Sequence, residues 1–213
     1  MTPLTSMASG LPKKYVTDKV DHGYLPLYEK FLPHTVEKFM EIGVWKGDSL
    51  RLFREYYEGK GEFHAFDIFR PNTGVVDPMQ LKQEGFIIHC GSQSDIPFLK
   101  TIHDQFDVII DDGSHHSDEQ IISFKHLFVN NIKPGGWYVV EDLVCCREEY
   151  WWRSVQGYEN TLLAVLERVI QKKRFSGQFF SAADDFQLHA LISGIYLAKI
   201  DTNPIAFIQK KPC

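Results

Sequence analysis

The 213 residues suffice for one α/β domain with a substantial core, and 44% apolar with 24% charged residues is the balance of an ordinary globule. A formal net charge of −5 counts against nucleic acid as the main partner, because a phosphate backbone asks for a basic surface. No window approaches the run of about 20 apolar residues that spans a bilayer, so no membrane partner is expected. The cysteines, Cys90, Cys145, Cys146 and Cys213, show no CxxC spacing. Neither a zinc site nor a disulfide framework is indicated, and reduced thiols in a cytoplasmic setting are expected.

Residues 1–14 lack the apolar core of a signal peptide and read as a flexible leader. Residues 15–213 read as a single domain. Within its first segment, 15–35, His22 and Tyr24 belong either to a surface turn or to a lid over a ligand. Val36–Ile42 is a short strand ending at Gly43. Asp48–Tyr57 places apolar residues at helical spacing, with Asp48 or Ser49 as N-cap. Glu62–Ile68 is a second strand, Pro71–Gln83 a loop with turn signals, and Gly85–His89 a third strand. Asp95–His103 is a short helix, Phe106–Ile110 a fourth strand, and Ser117–Asn130 a helix with Ile121, Phe124, Leu127 and Phe128 on one face. KPGG at Lys133–Gly136 turns the chain into a fifth strand, Trp137–Val140. Strands separated by single helices imply right-handed βαβ units and a parallel sheet. The rhythm breaks after Leu143. Residues 144–180 read as an insertion, aromatic and charged over Cys145–Tyr158 and helical over Glu159–Lys172. Asp184–Asp185 are expected in a solvated loop. Gln187–Leu197 and Ala206–Gln209, joined by a turn at Asn203–Pro204, form a late hairpin that makes one sheet edge antiparallel.

Chemistry concentrates at the strand ends. FDVIIDDGSH closes in Asp111–Asp112, with His115 close behind, and GGWYVVEDL closes in Glu141–Asp142. In an open α/β sheet the carboxyl ends of neighbouring strands line the ligand crevice. Acids brought to one rim repel unless a cation lies between them, and oxygen ligands favour a hard ion such as Mg²⁺ or Mn²⁺. Alternation along a strand sends Asp111 and Asp112 to opposite faces, so one can serve a cofactor and the other the ion. The first strand ends in E-x-G-x-x-x-G, Glu41 to Gly47, where glycines permit a tight turn and close backbone approach. The dinucleotide fingerprint G-x-G-x-x-G is absent, and an acid there repels pyrophosphate but suits a cationic amino group. Asp67, closing the second strand, stands where an acid can bind ribose hydroxyls.

With those residues in that order, residues 38–143 resemble class I S-adenosylmethionine-dependent methyltransferases. DVIIDDGSHHSDEQIISFKHLF and KPGGWYVVEDL resemble, more narrowly, the metal-dependent macrocin- and mycinamicin-type sugar O-methyltransferases and related bacterial glycan and natural-product enzymes. The segment YVTDKVDHGYLPLY, Tyr15–Tyr28, is similar to one that precedes the first strand in that group. The macrolide enzymes' long N-terminal domain has no counterpart in these residues, and Trp45–Lys46 replace smaller residues in the glycine loop. The resemblance implies a Rossmann-like, seven-stranded, mostly parallel sheet with an antiparallel C-terminal strand and helices on both faces. It implies cofactor contacts at Glu41, Gly43, Gly47, Asp67, Ser92 and Gln93, a metal held by Asp112, Glu141 and Asp142, and His115 as base with Asp112 beside it. Asp111 then falls to the cofactor side.

The activity so implied is Mg²⁺-dependent methylation of a hydroxyl on a sugar, glycoside or polyketide. The sulfonium methyl needs no acid activation, whereas an aliphatic hydroxyl is a poor nucleophile at neutral pH. A Lewis-acidic ion and a positioned imidazole both answer that difficulty. Two other readings are a cofactor-binding protein of the same fold with a non-methylating or regulatory role, and an N-methyltransferase. The latter is disfavoured because no N/D-P-P-Y/F tetrapeptide closes the fourth strand. Tyr150, Trp151 and Trp152 suit either stacking on an acceptor or an interface between copies of a homo-oligomer.

Overall fold

The computed structural model describes residues 2–9 and 14–213. Its seven strands are β1 (Lys38–Ile42), β2 (Glu62–Asp67), β3 (Ile87–Cys90), β4 (Phe106–Asp111), β5 (Ile132–Val140), β6 (Ile192–Ala198) and β7 (Ile205–Lys210). They form one sheet in the order β3-β2-β1-β4-β5-β7-β6. The first five run parallel; β7 is antiparallel to both β5 and β6. The strand order reverses between β1 and β4, the switch point where such sheets open a crevice.

Around the sheet lie α1 (Leu4–Ser9), α2 (Leu25–Phe31), α3 (Asp48–Tyr56), α4 (Pro78–Gln83), α5 (Ile96–Leu99), α6 (Ser117–Asn131), α7 (Leu162–Lys172) and α8 (Ala182–Leu191). Alternation along the strands divides the core into two layers. Phe39, Val108, Ile110 and Val139 pack with Tyr28 and Phe53 from α2 and α3. Met40, Ile109, Tyr138 and Val140 pack on the other face with Phe124, Phe128 and Leu166 from α6 and α7. This parity matters beyond the core, because it decides which way each strand-end acid points.

Several local expectations change. Residue 1 and residues 10–13 of the expected leader lie outside the described residues, but Leu4–Ser9 is helical, with Leu4 and Ala8 fully buried. Asp48 and Ser49 are not the N-cap of α3: Gly47 is, in a left-handed conformation at φ 77°. The stretch Pro71–Gln83 is a loop only until Asp77, whose side chain accepts the Met79 N–H and, with Pro78 behind it, starts α4. Gln187–Leu191 is helix rather than strand. A reciprocal capping box between Ser181 and Asp184 nucleates α8, and the same box removes Asp184–Asp185 from the expected loop. Three short 3₁₀ turns, Leu143–Arg147, Glu149–Trp151 and Tyr158–Asn160, follow β5. All four cysteines are free.

One buried titrating group lies far from the strand-end acids. His64, in β2, is fully buried, with its Nδ1 2.8 Å from Nε2 of His89 and its ring edge-on to Phe106. Burial, with the neighbouring His89 ring, pushes its pKa down to about 4. An unfolded histidine titrates near 6.5, so between those values the unfolded chain binds a proton that the folded chain refuses. The stability this neutral ring supports is complete above about pH 6.5 and declines as the pH falls toward 4. Denaturant unfolding at pH 7 and pH 5 should therefore show a loss of about 1–2 kcal/mol from this group. His64→Phe should reduce the acid loss by that amount; an identical loss in the variant rules the account out.

Candidate active site

The crevice forms where β1, β4 and β5 end. Gly43 donates its N–H to Phe66 O (2.8 Å), Asp112 to Ile42 O (2.9 Å), and Glu141 to Asp111 O (3.0 Å), so the strand ends are stitched together past their last residues. Gly43, at φ 80°, lies directly under the Asp112 carbonyl, and a Cβ there would come within 2.0 Å of that oxygen. Two adjoining cavities follow the rim. One, of about 310 Å³, lies among Val16 and Thr17, the Gly43–Ser49 loop, Asp112 and His115. The other, of about 450 Å³, lies among Phe66, Ile68, Ser92, Gln93, Ser114 and Arg153. Gly43, Asp67 and Gly113 border both.

Asp67 accepts the backbone N–H groups of Val44 and Phe69, one on each oxygen at 2.9 Å, which fixes the carboxylate between the cavities. A carboxylate has about four acceptor positions, so it can still receive hydroxyl donors. Ser92 lines the larger cavity; Gln93 is almost buried and braces the wall, accepting the Ser114 N–H and donating to Asp111.

Asp111 departs from expectation. It shares strand parity with Ile109 and turns toward α6, fully buried, where Ser123, Tyr138, Gln93 and the Gly113 N–H all donate to it. Its oxygens are engaged by protein donors, and it lines neither cavity. Glu41 also departs. It lies beneath the first cavity rather than in its wall, with Ser49 Oγ 2.6 Å and Lys19 Nζ 3.3 Å from Oε1, and Oε2 buried without a partner. Burial pushes its carboxyl up to about 7, against the pull of Lys19. Gly47 acts through the backbone: it carries the left-handed turn into α3, with Leu81 and Arg51 closing the space where a side chain would go.

Asp112 has the parity of Ile110 and faces the other layer, as do Glu41 and Glu141. There they meet Lys19, which the sequence reading did not single out. Its Nζ lies 2.5 Å from Asp112 Oδ2, 2.8 Å from Glu141 Oε1 and 3.3 Å from Glu41 Oε1. Burial alone would lower the pKa of this ammonium, but Asp112, Glu141 and Glu41 hold it well above the ordinary lysine value. Tyr28, also missed, donates to Glu141. Tyr24 is buried and donates to Asp142 Oδ1 at 3.0 Å, where Asn203 Nδ2 also binds at 2.5 Å, and His22 Nδ1 lies 3.3 Å away. So His22 and Tyr24 are part of a cap on the acids. The available signal was Tyr24 and Tyr28 at helical spacing four apart, one turn after Lys19.

The outer part of the cluster is different. Oxygens of Asp112 and Asp142 and a ring nitrogen of His115 lie within 4.8 Å of one another. His115 Nε2 is 3.7 Å from Asp142 Oδ2, while its Nδ1 is buried without a hydrogen-bond partner among the described residues. Two carboxylates and an imidazole at that spacing suit a divalent cation. Glu141 Oε1, by contrast, is committed to Lys19 and Tyr28. Trp151 stands beside His115, ring centroids 6.1 Å apart, with the exposed Tyr150 next to it. His116 is half-buried and packs on Trp151.

Residues 40–143 match the methyltransferase-domain family. The chain is 33% identical over 148 residues to a tetracenomycin-C rhamnosyl 3'-O-methyltransferase of Streptomyces olivaceus, covering 62% of this chain and 36% of that protein. It is 31% identical over 150 residues to the mycinamicin VI 2''-O-methyltransferase of Micromonospora griseorubida, covering 63% and 35%. It thus spans about a third of the length of these curated relatives. The crystal structure of the mycinamycin-pathway methyltransferase MycE with Mg, SAH and mycinamycin VI superposes with a TM-score of 0.74. Sequence identity there is 25%, over 99% of this chain and 54% of that one.

Proposed function

We propose, starting from a chain whose residues 40–143 match the methyltransferase-domain family and whose fold is that of the class I S-adenosylmethionine-dependent enzymes, that this protein methylates a hydroxyl of a small glycosylated or polyketide-like molecule with the aid of Mg²⁺ or Mn²⁺. The observation that carries this reading is the convergence of Asp112, His115 and Asp142 at the mouth of the Gly43–Asp67 cavity. The relatives named for sugar O-methylation, and the neighbour solved with Mg and SAH, support it.

In this reading Gly43, Gly47 and Asp67 shape and grip the cofactor site, with Ser92 and Gln93 at its far end. Asp112 and Asp142 hold the ion, and Glu141 joins them through the oxygen that Lys19 and Tyr28 leave free. When bound, the ion supplies Lewis acidity to a hydroxyl and S-adenosylmethionine supplies an electrophilic methyl group. His115 takes the hydroxyl proton. Asp142 is held by Tyr24 and Asn203 on one oxygen, so its other oxygen stays aimed at His115. Residues 15–35 act as a lid over the cofactor, and 144–180 present Tyr150 and Trp151 to the acceptor, whose sugar or ring face an aromatic surface suits. Among the described residues, no helix is long and apolar enough to cross a membrane.

The test is a screen of glycoside and hydroxylated polyketide acceptors with methyl-labelled cofactor, with and without EDTA. Turnover should vanish with chelator and return with added Mg²⁺ or Mn²⁺. Methylation that survives EDTA would remove the ion from the reaction, and methylation of amines alone would overturn the choice of acceptor.

A further inference from the structure

The acids at the strand ends divide into an inner and an outer half, and burial marks the boundary. Lys19, Glu41 and Glu141 have side chains at 0%, 0% and 1% exposure, whereas Asp112, Asp142 and His115 stand at 16%, 12% and 23%. The inner half already contains a cation. Lys19 reaches all of Glu41, Glu141 and Asp112, and no water-filled route is needed to neutralise them. Burying a carboxylate without a partner is costly, so the ammonium is what lets two acids sit under the site at all. Asp112 belongs to both halves: Oδ2 faces Lys19, and the residue also joins the outer group of possible ligands, while Glu141 gives Oε1 to Lys19 and keeps its second oxygen toward the outer half.

We infer that Lys19 is a positioning residue for the metal: it occupies the inner half of the acid cluster and thereby confines a divalent ion to the outer half, beside His115. Without it, Glu41, Asp112 and Glu141 would offer a deeper oxygen site, more negative and more buried than the outer one. An ion drawn there would bind tightly and stand away from His115. A resident ammonium thus trades ion affinity for ion location. The backbone delivers Lys19: Tyr24 donates its N–H back to Lys19 O at 2.9 Å, which ties the lysine to the segment that also carries Tyr24 and Tyr28 onto the acids. This inference rests on the reading of Asp112 and Asp142 as ion ligands.

The experiment is Mn²⁺ titration of the full chain, without cofactor, followed by EPR. It compares wild type, Lys19→Met, and the double variant Lys19→Met with Glu41→Gln. The double variant keeps the wild-type charge count but removes the ammonium, and it decides the matter alone if the single variant does not fold. Lys19→Met should bind Mn²⁺ about tenfold more tightly or better, since a positive charge within a few ångströms is lost. The double variant should keep an altered Mn²⁺ spectrum, because the ion has moved inward. Wild-type affinity and spectrum in both variants would overturn the inference, leaving Lys19 a structural ion pair. So would a spectrum altered in neither variant while affinity rises only in the single one, which would reduce its role to charge. Absence of any Mn²⁺ binding by the wild type would instead sink the metal reading beneath it, and this inference with it.

Discussion

Replacing His115 with alanine is expected to lower kcat by about 10²–10⁴-fold, the share of a positioned general base, while S-adenosylmethionine still binds. That loss corresponds to about 3–5 kcal/mol of transition-state stabilisation. The imidazole stands at the rim and is not engaged with Lys19. It borders the first cavity, next to Asp142 and under Trp151. Its backbone is left-handed, at φ 57°, a conformation that asparagine tolerates and alanine resists. His115→Asn is therefore the sharper variant, since it removes the imidazole and keeps the loop. Both variants should retain cofactor affinity in calorimetry and lose turnover in proportion. Wild-type kcat in His115→Asn would take the residue out of the chemistry.

Gly43→Ala should damage the protein more broadly. An added Cβ would stand 2.0 Å from Asp112 O and 2.6 Å from Gly113 Cα, both backbone atoms. Neither side can yield easily, because Gly43 is tied to Phe66 and Asp112 to Ile42. The backbone at φ 80° adds its own strain. A loss of about 3 kcal/mol or more is expected, which for a chain of this size lowers Tm by about 6–12 °C. Cofactor binding should fail as well, since the strand ends part at the cavity floor. Gly59→Ala is the control: its φ is 68°, but nothing lies within 4 Å of the added Cβ. It should cost only the backbone strain of about 1–2 kcal/mol. Equal melting temperatures for the two variants would refute the packing argument.

The strands Glu62–Asp67 and Phe106–Asp111, the helix Ser117–Asn131 and the late hairpin follow from periodicities of two and 3.6, which are properties of a few neighbouring residues. Capping chemistry was under-read: Asp77–Pro78 and the Ser181–Asp184 box each start a helix where a loop was expected. The carboxylates of the site were legible because they end apolar runs, and sheet topology sends such ends to one crevice.

Strand alternation in the sequence determined that Asp111 and Asp112 face opposite ways, and it placed Glu41, Asp67, Asp112, Glu141, Asp142 and His115 at the ends of strands. Only the tertiary structure decided which face each acid shares and with whom. It turned Asp111 inward to Ser123 and Tyr138, sank Glu41 beneath the cavity, and put Lys19 against an acid 93 residues away. The reason is physical: side-chain direction along a strand is set by the backbone's own repeat, whereas a buried ion pair depends on the packing of segments that no spacing in the chain connects.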